Sequence, residues 1–155
     1  MRYSEIYLTN HDIDWFCNVN GIFIHVASAG GRIPDQINDD ESLRKIQNKV
    51  ELLEDIYTDD EIVYNEAAIT NVLGVNNAKG RAQYIESFTA MARKGFASFD
   101  RTNIADSDDK QYHLVCMPNS FENKPSDLGL YTVNTNDGFM KSFVELIENY
   151  LKWKK

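Results

Sequence analysis

The sequence predicts an α+β domain in which a mainly antiparallel sheet, in the order β-β-β-α-α-α-β-β-(β)-α, packs with about four helices. Three observations carry that prediction. Asn20-Gly21 stands between two alternating runs, and an Asn-Gly pair tolerates the positive φ that a two-residue type I′ hairpin turn demands. Apolar residues recur at three- and four-residue steps from Leu43 to Leu53, the period of an amphipathic helix. Strand-like runs are grouped in hairpins instead of alternating with helices, which argues against a doubly wound parallel sheet.

Taken in chain order, Tyr3 to Leu8 alternates weakly and runs into Asn10-His11-Asp12, so it reads as a first strand. The Asn20-Gly21 hairpin follows. With Val19 opposite Ile22, Cys17 faces Ile24, Trp15 faces Val26 and Ile13 faces Ser28; this is the core side, because strand side chains alternate. The other side then sets Phe16 against His25 and Asn18 against Phe23. From Ala29 to Asp40 the composition turns to Gly, Pro, Asn and Asp, which is loop material.

A helix of about four turns is expected through Leu43, Ile46, Val50 and Leu53. Thr58 and Glu61 have capping-box spacing, so a second helix is expected to run from there to Leu73 and end at Gly74, its core face Ile62, Ile69, Val72 and Leu73. A third runs through Ile85, Phe88, Met91 and Ala92 and stops at Arg93-Lys94-Gly95, a basic last turn before a C′ glycine. Phe96 to Arg101 and Tyr112 to Met117 are expected as a second hairpin, and Leu128 to Val133 as a last short strand. A C-terminal helix is expected from Asp137, with Phe139, Phe143, Ile147 and Tyr150 on one face. Its closing Lys152, Lys154 and Lys155 match the negative end of the helix dipole.

At 155 residues, 43% hydrophobic and 12% aromatic, the chain can bury one core, and residues 1–155 read as a single domain. Its net charge of −8 repels nucleic acid and anionic membrane, so neither is an expected partner. No window reaches the length of a membrane span and the N-terminus lacks the apolar run of a signal peptide, which points to the cytoplasm. Cys17 and Cys116 lie in apolar strand contexts, as buried reduced thiols do.

Candidate chemistry is sparse. Gly30, Gly31 and Arg32 leave a strand end and could bind an anion through glycine amides and a guanidinium, although an exit loop has the same composition. No helix follows directly, so this is no phosphate-loop fingerprint. Of three histidines, His25 lies in a strand opposite Phe16 and is a candidate acid or base, or a core histidine with one satisfied nitrogen. Asp100, beside Arg101, and His113 are candidate assistants to it; Asp100-Arg101 can equally tie down a loop. Asp106, Asp108 and Asp109 lack the glycine and distal glutamate of a calcium loop and read as a solvated turn. No metal site and no cofactor are expected.

Two functions follow as expectations. The first is a binding or regulatory module acting through protein contacts, its partner another protein or a second copy, with Phe16, Phe23 and His25 as an interface centre. The competing reading of those residues is a second core under helices. The other function is a small hydrolase or transferase holding an anionic ligand at Ser28–Arg32, with His25 as acid or base.

Overall fold

A computed structural model of the chain describes residues 1–19, 21–74, 76–102, 112–125, 128–130, 132 and 145. Its strands are β1 (Asp14–Val19), β2 (Ile22–Ala27), β3 (Ile62–Tyr64), β4 (Ala97–Arg101) and β5 (Tyr112–Pro118). They form one mixed sheet in the order β1-β2-β4-β5-β3. The β1–β2, β4–β5 and β3–β5 pairings are antiparallel, and β2–β4 is parallel. Helices α1 (Glu5–Thr9), α2 (Asp40–Glu51), α3 (Glu66–Leu73) and α4 (Ala78–Arg93) complete the described α+β architecture.

The first hairpin has the expected register: Val19 pairs with Ile22, Cys17 with Ile24, Trp15 with Val26 and Phe16 with His25. Gly21 takes a φ of +84°, and Asn20 lies outside the described residues. Ser28 extends the pairing, its amide donating to Ile13 O at 3.0 Å while its hydroxyl accepts from Ile13 N at 2.7 Å. On one sheet face Trp15, Ile24, Val26, Phe99 and Leu114 are buried beneath Leu8, Ile33, Ile37 and Leu43. On the other, Ile69, Phe88 and Ala92 from α3 and α4 cover Ala27, Val115 and Cys116. Each large apolar side chain so covered contributes about 1.5–3 kcal/mol.

The N-terminal segment is a helix, not the expected strand. Ser4 caps it by accepting from Tyr7 N, and three successive side chains, Thr9, Asn10 and His11, bond back to the carbonyls of Glu5, Ile6 and Tyr7. Those bonds extend the helical ladder that so short a segment could not sustain alone. The expected Thr58–Leu73 helix is also interrupted. Thr58 and Glu61 do meet, Thr58 N donating to Glu61 Oε1 at 3.1 Å, but they cap a single 3-10 turn, Asp59–Glu61. Ile62-Val63-Tyr64 then pairs with β5, where β-branched residues fit a pleated surface. Asn65 starts α3 afresh by accepting from Ala68 N. Ile62 and Ile69 are buried as expected, whereas Val72 is exposed.

Helices α2 and α4 and the β4–β5 hairpin follow expectation, with a register shift at Ser98/Phe99. Of the expected strand at Leu128–Val133, the described residues show one parallel bridge, Asn18 to Thr132. The loop carrying Asp106, Asp108 and Asp109 and the helix expected from Asp137 lie outside the described residues, apart from the isolated Glu145. Among the described residues no helix is long and apolar enough to cross a membrane. Cys17 and Cys116 are free, buried thiols; burial pushes both upward, Cys116 to about 12, so neither is a reactive thiolate.

Candidate functional site

An open cleft of about 510 Å³ lies where α1, the start of β1, α2 and the end of α4 meet. Along one wall the rings of Tyr3, Tyr7 and His11 stack face to face, with centroids 4.6 and 3.8 Å apart and planes within 4° and 11°. The stack follows from helical geometry, because residues four apart lie one above the other. His11 Nδ1 donates to Tyr7 O at 2.7 Å, so in the neutral ring Nε2 is left as an acceptor. Asp12 and Asp14 continue the wall, Arg44, Gln47 and Glu51 line it from α2, and Phe16, Val50 and Met91 are apolar contributors. Lys94 reaches across to the end of α2, donating to Val50 O and Glu51 O, where a cation offsets the helix dipole.

His25 stands behind this cleft, not within it. Its side chain is 2% exposed, and Nε2 lies 2.8 Å from Oδ1 of Asp14, whose side chain is 56% exposed. Nε2–H donates to Asp14, the Ser98 hydroxyl donates to Phe88 O at 3.2 Å, and its oxygen lies 3.2 Å from His25 Nδ1. Gln47 donates to the main-chain O of Asp14 at 2.8 Å. Asp14 is therefore held from two sides with Oδ1 engaged.

The other two acid–base candidates come together elsewhere on the α4 side of the sheet. Asp100 and His113 are cross-strand partners on β4 and β5, and the Tyr84 hydroxyl from α4 bridges them, donating to Asp100 Oδ2 at 2.6 Å and lying 2.9 Å from His113 Nε2. Thr102 Oγ1 is 3.0 Å from His113 Nδ1, and Arg101 N donates to Asp100 Oδ1 at 2.9 Å. One assignment satisfies every contact: Thr102 donates to His113, His113 to Tyr84, and Tyr84 to Asp100. Burial raises Asp100 above the usual carboxylate range and holds His113 below the usual imidazole value. Burial, with the Asp100 charge beside it, pushes Tyr84 far above the ordinary phenol.

The Ser28–Arg32 loop does not have the geometry of an anion cradle. All four amides from Ser28 to Gly31 are taken: by Ile13 O, Asp12 Oδ1, His11 O and Ser28 O respectively. Arg101, 2% exposed, threads beneath the loop and donates to Ser28 O at 3.0 Å and Ala29 O at 2.7 Å. It thus ties the loop down, the second of the two roles open to Asp100-Arg101. Arg32 pairs with Glu5 at 3.1 Å. Nor do Gly30, Gly31 and His25 converge. Arg101, which Gly31 packs on, alternates along β4 with Ser98 and Asp100, so it belongs to the sheet face opposite the His25–Ser98 contact.

Phe16 and His25 are likewise not an exposed interface centre. Phe16 is 4% exposed and clusters with Val50, Phe96 and Leu128, with Ile46 and Met91 against it, because α2 and α4 cover that face; Phe23 is half-buried at its margin. Tyr84, Thr102 and Asp14 are the site residues that sequence reading missed. Tyr84 sits four residues before Phe88 on α4, a spacing that reads as core stripe. No protein-family model, curated protein or solved structure matches this chain.

Proposed function

We propose that this protein is a binding module acting through protein contacts, with the cleft between α1 and α2 as its recognition surface. The observation that carries this reading is the convergence of the stacked rings, the positioned Asp14 carboxylate and the α2 side chains on one open concavity. Concave sites with an apolar base and a few oriented polar groups are where recognition concentrates. Two buried free thiols accord with the cytoplasm as the place where the partner is met. The test is a native mass spectrum of the protein purified gently from its own cells, followed by hydrogen exchange on any complex. An added protein mass with slowed exchange at α1, the start of β1 and α2 is expected. Protection confined to other elements would sink the reading.

An acid–base function is the second reading, and the unbroken donor chain from Thr102 through His113 and Tyr84 to Asp100 favours it. It would use Asp100 and His113 without His25 and without the Ser28–Arg32 loop. It ranks second because each of the four groups already has its partner within the chain, and the cleft lies elsewhere.

A further inference from the structure

We infer that the cleft between α1 and α2 accepts an arginine side chain presented by a basic partner protein. This deepens the proposed function and rests on its placing of recognition in that cleft. The polar groups there are mostly acceptors. Asp14 has Oδ1 on His25 and Asp12 has Oδ1 on Ala29 N, and both residues line the cleft, so the second oxygen of each carboxylate is the one with acceptor capacity to spare. His11 offers Nε2 once Nδ1–H is committed to Tyr7 O. Glu51 adds a third carboxylate to the lining. Against these three carboxylates stand two cations, Arg44 and Lys94, and the ammonium of Lys94 is bonded to the last carbonyls of α2.

A guanidinium fits this inventory better than an ammonium. It carries five N–H donors in a planar fork and no acceptor, and its plane stacks on aromatic rings. The Tyr3–Tyr7–His11 stack provides a surface of parallel rings, ending at His11 in the residues that lead into Asp12 and Asp14. A planar cation laid on that end would continue the stack while its edge donors meet carboxylate oxygens, the arrangement in which charge-assisted and cation–π attraction add. The net charge of −8 favours approach by a basic partner and disfavours an acidic one. The backing of Asp14 by buried His25 and Ser98 means its carboxylate need not be ordered on binding.

The experiment is an NMR titration of the intact protein at low salt with a short blocked glycine peptide containing arginine, repeated with lysine and with citrulline, the neutral isostere, in its place. The arginine peptide is expected to shift the amides of Tyr7, His11, Asp14 and Gln47, the lysine peptide less, and the citrulline peptide not at all. Asp14→Asn keeps an acceptor for His25 and so keeps the fold; it is expected to weaken arginine binding about tenfold, the factor of one charge-assisted hydrogen bond. Glu51→Gln, on the exposed face of α2, is a second variant expected to weaken it in the same direction. Equal shifts with citrulline would overturn the arginine assignment while leaving the cleft as the recognition surface. Silence of the cleft amides toward all three peptides up to about 10 mM, a concentration that would reveal even a single-side-chain contact, also overturns it. Protection of other elements in the native complex would overturn the proposed function beneath it.

Discussion

Gly31 and Arg101 are packed so closely that one added methyl group has no room: a β-carbon at Gly31 would stand 2.6 Å from Arg101 Cδ and 2.7 Å from Nε. The glycine thus serves a buried guanidinium and not a phosphate. Gly31→Ala is expected to displace that side chain from Ser28 O and Ala29 O and to destabilise the protein by about 1–3 kcal/mol, an overpacking cost. Urea unfolding would measure it, and an unchanged midpoint would mean that the loop yields freely.

Phe16→Ala separates a core role from an interface role. Phe16 sits among Val50, Phe96, Leu128 and Met91, so truncation is expected to cost about 3–5 kcal/mol. A variant that melts like the wild type would return Phe16 to the surface as an interface residue.

The Tyr84 hydroxyl has two partners, Asp100 and His113. Tyr84→Phe leaves both buried groups short of one bond and is expected to cost about 1–3 kcal/mol. The loss should shrink in an Asp100→Asn background, where no buried charge remains to be solvated; equal losses in both backgrounds would show that the pair is not coupled through the phenol.

The same cluster sets a pH dependence. Burial holds His113 below its usual 6.5, so the unfolded chain takes up a proton that the folded chain resists. The His113 contribution is complete above 6.5 and is lost progressively as pH falls from there through the lowered folded-state value. Asp100, raised by burial from 3.8, acts oppositely: its contribution is complete below 3.8 and is lost as pH rises above it. Thermal melts from about pH 8 to about 5 should show a decline in the wild type that His113→Gln removes. A decline of equal slope in the variant would place its origin elsewhere.

Ser98→Ala tests how Asp14 is held. The hydroxyl donates to Phe88 O and its oxygen lies against His25 Nδ1, so its removal takes a partner from a fully buried ring nitrogen. A loss of about 1–3 kcal/mol is expected by denaturation. An equally stable variant would mean that the Ser98 hydroxyl does not help to hold His25 in place.

What is legible in the sequence is local. The register around Gly21, the stripe of α2 and the C-terminal end of α4 are written in neighbouring residues, as alternation, helical period and the glycine at Gly95. Helix α1 is not, because with Leu8 alone buried it has no stripe to detect, and β3 is not, because three residues become a strand only by pairing with β5. The polar strand residues Asp100 and His113 stand out as chemistry within an apolar context. Tyr84 does not, since nothing on α4 distinguishes a tyrosine that bonds from one that packs. The fate of Gly30 and Gly31 depends on Arg101, far along the chain, and composition carries no trace of that encounter.

The parallel joint between β2 and β4 governs how the chain assembles. The β1–β2 hairpin closes over a few residues, but His25 meets Ser98 across 73 positions of sequence. Closing a loop of that length costs on the order of 4 kcal/mol in chain entropy before any contact repays it. The β1–β2 and β4–β5 pairs, each made by strands consecutive in the chain, can therefore nucleate early and separately, and the seam between them zips last. Hydrogen exchange during refolding should protect Cys17 and Ile24 before Val26 and Phe99 lock together. Until that seam closes, the β2 and β4 edges are open strands, and this interval, not the finished fold, is when two copies are most prone to pair wrongly.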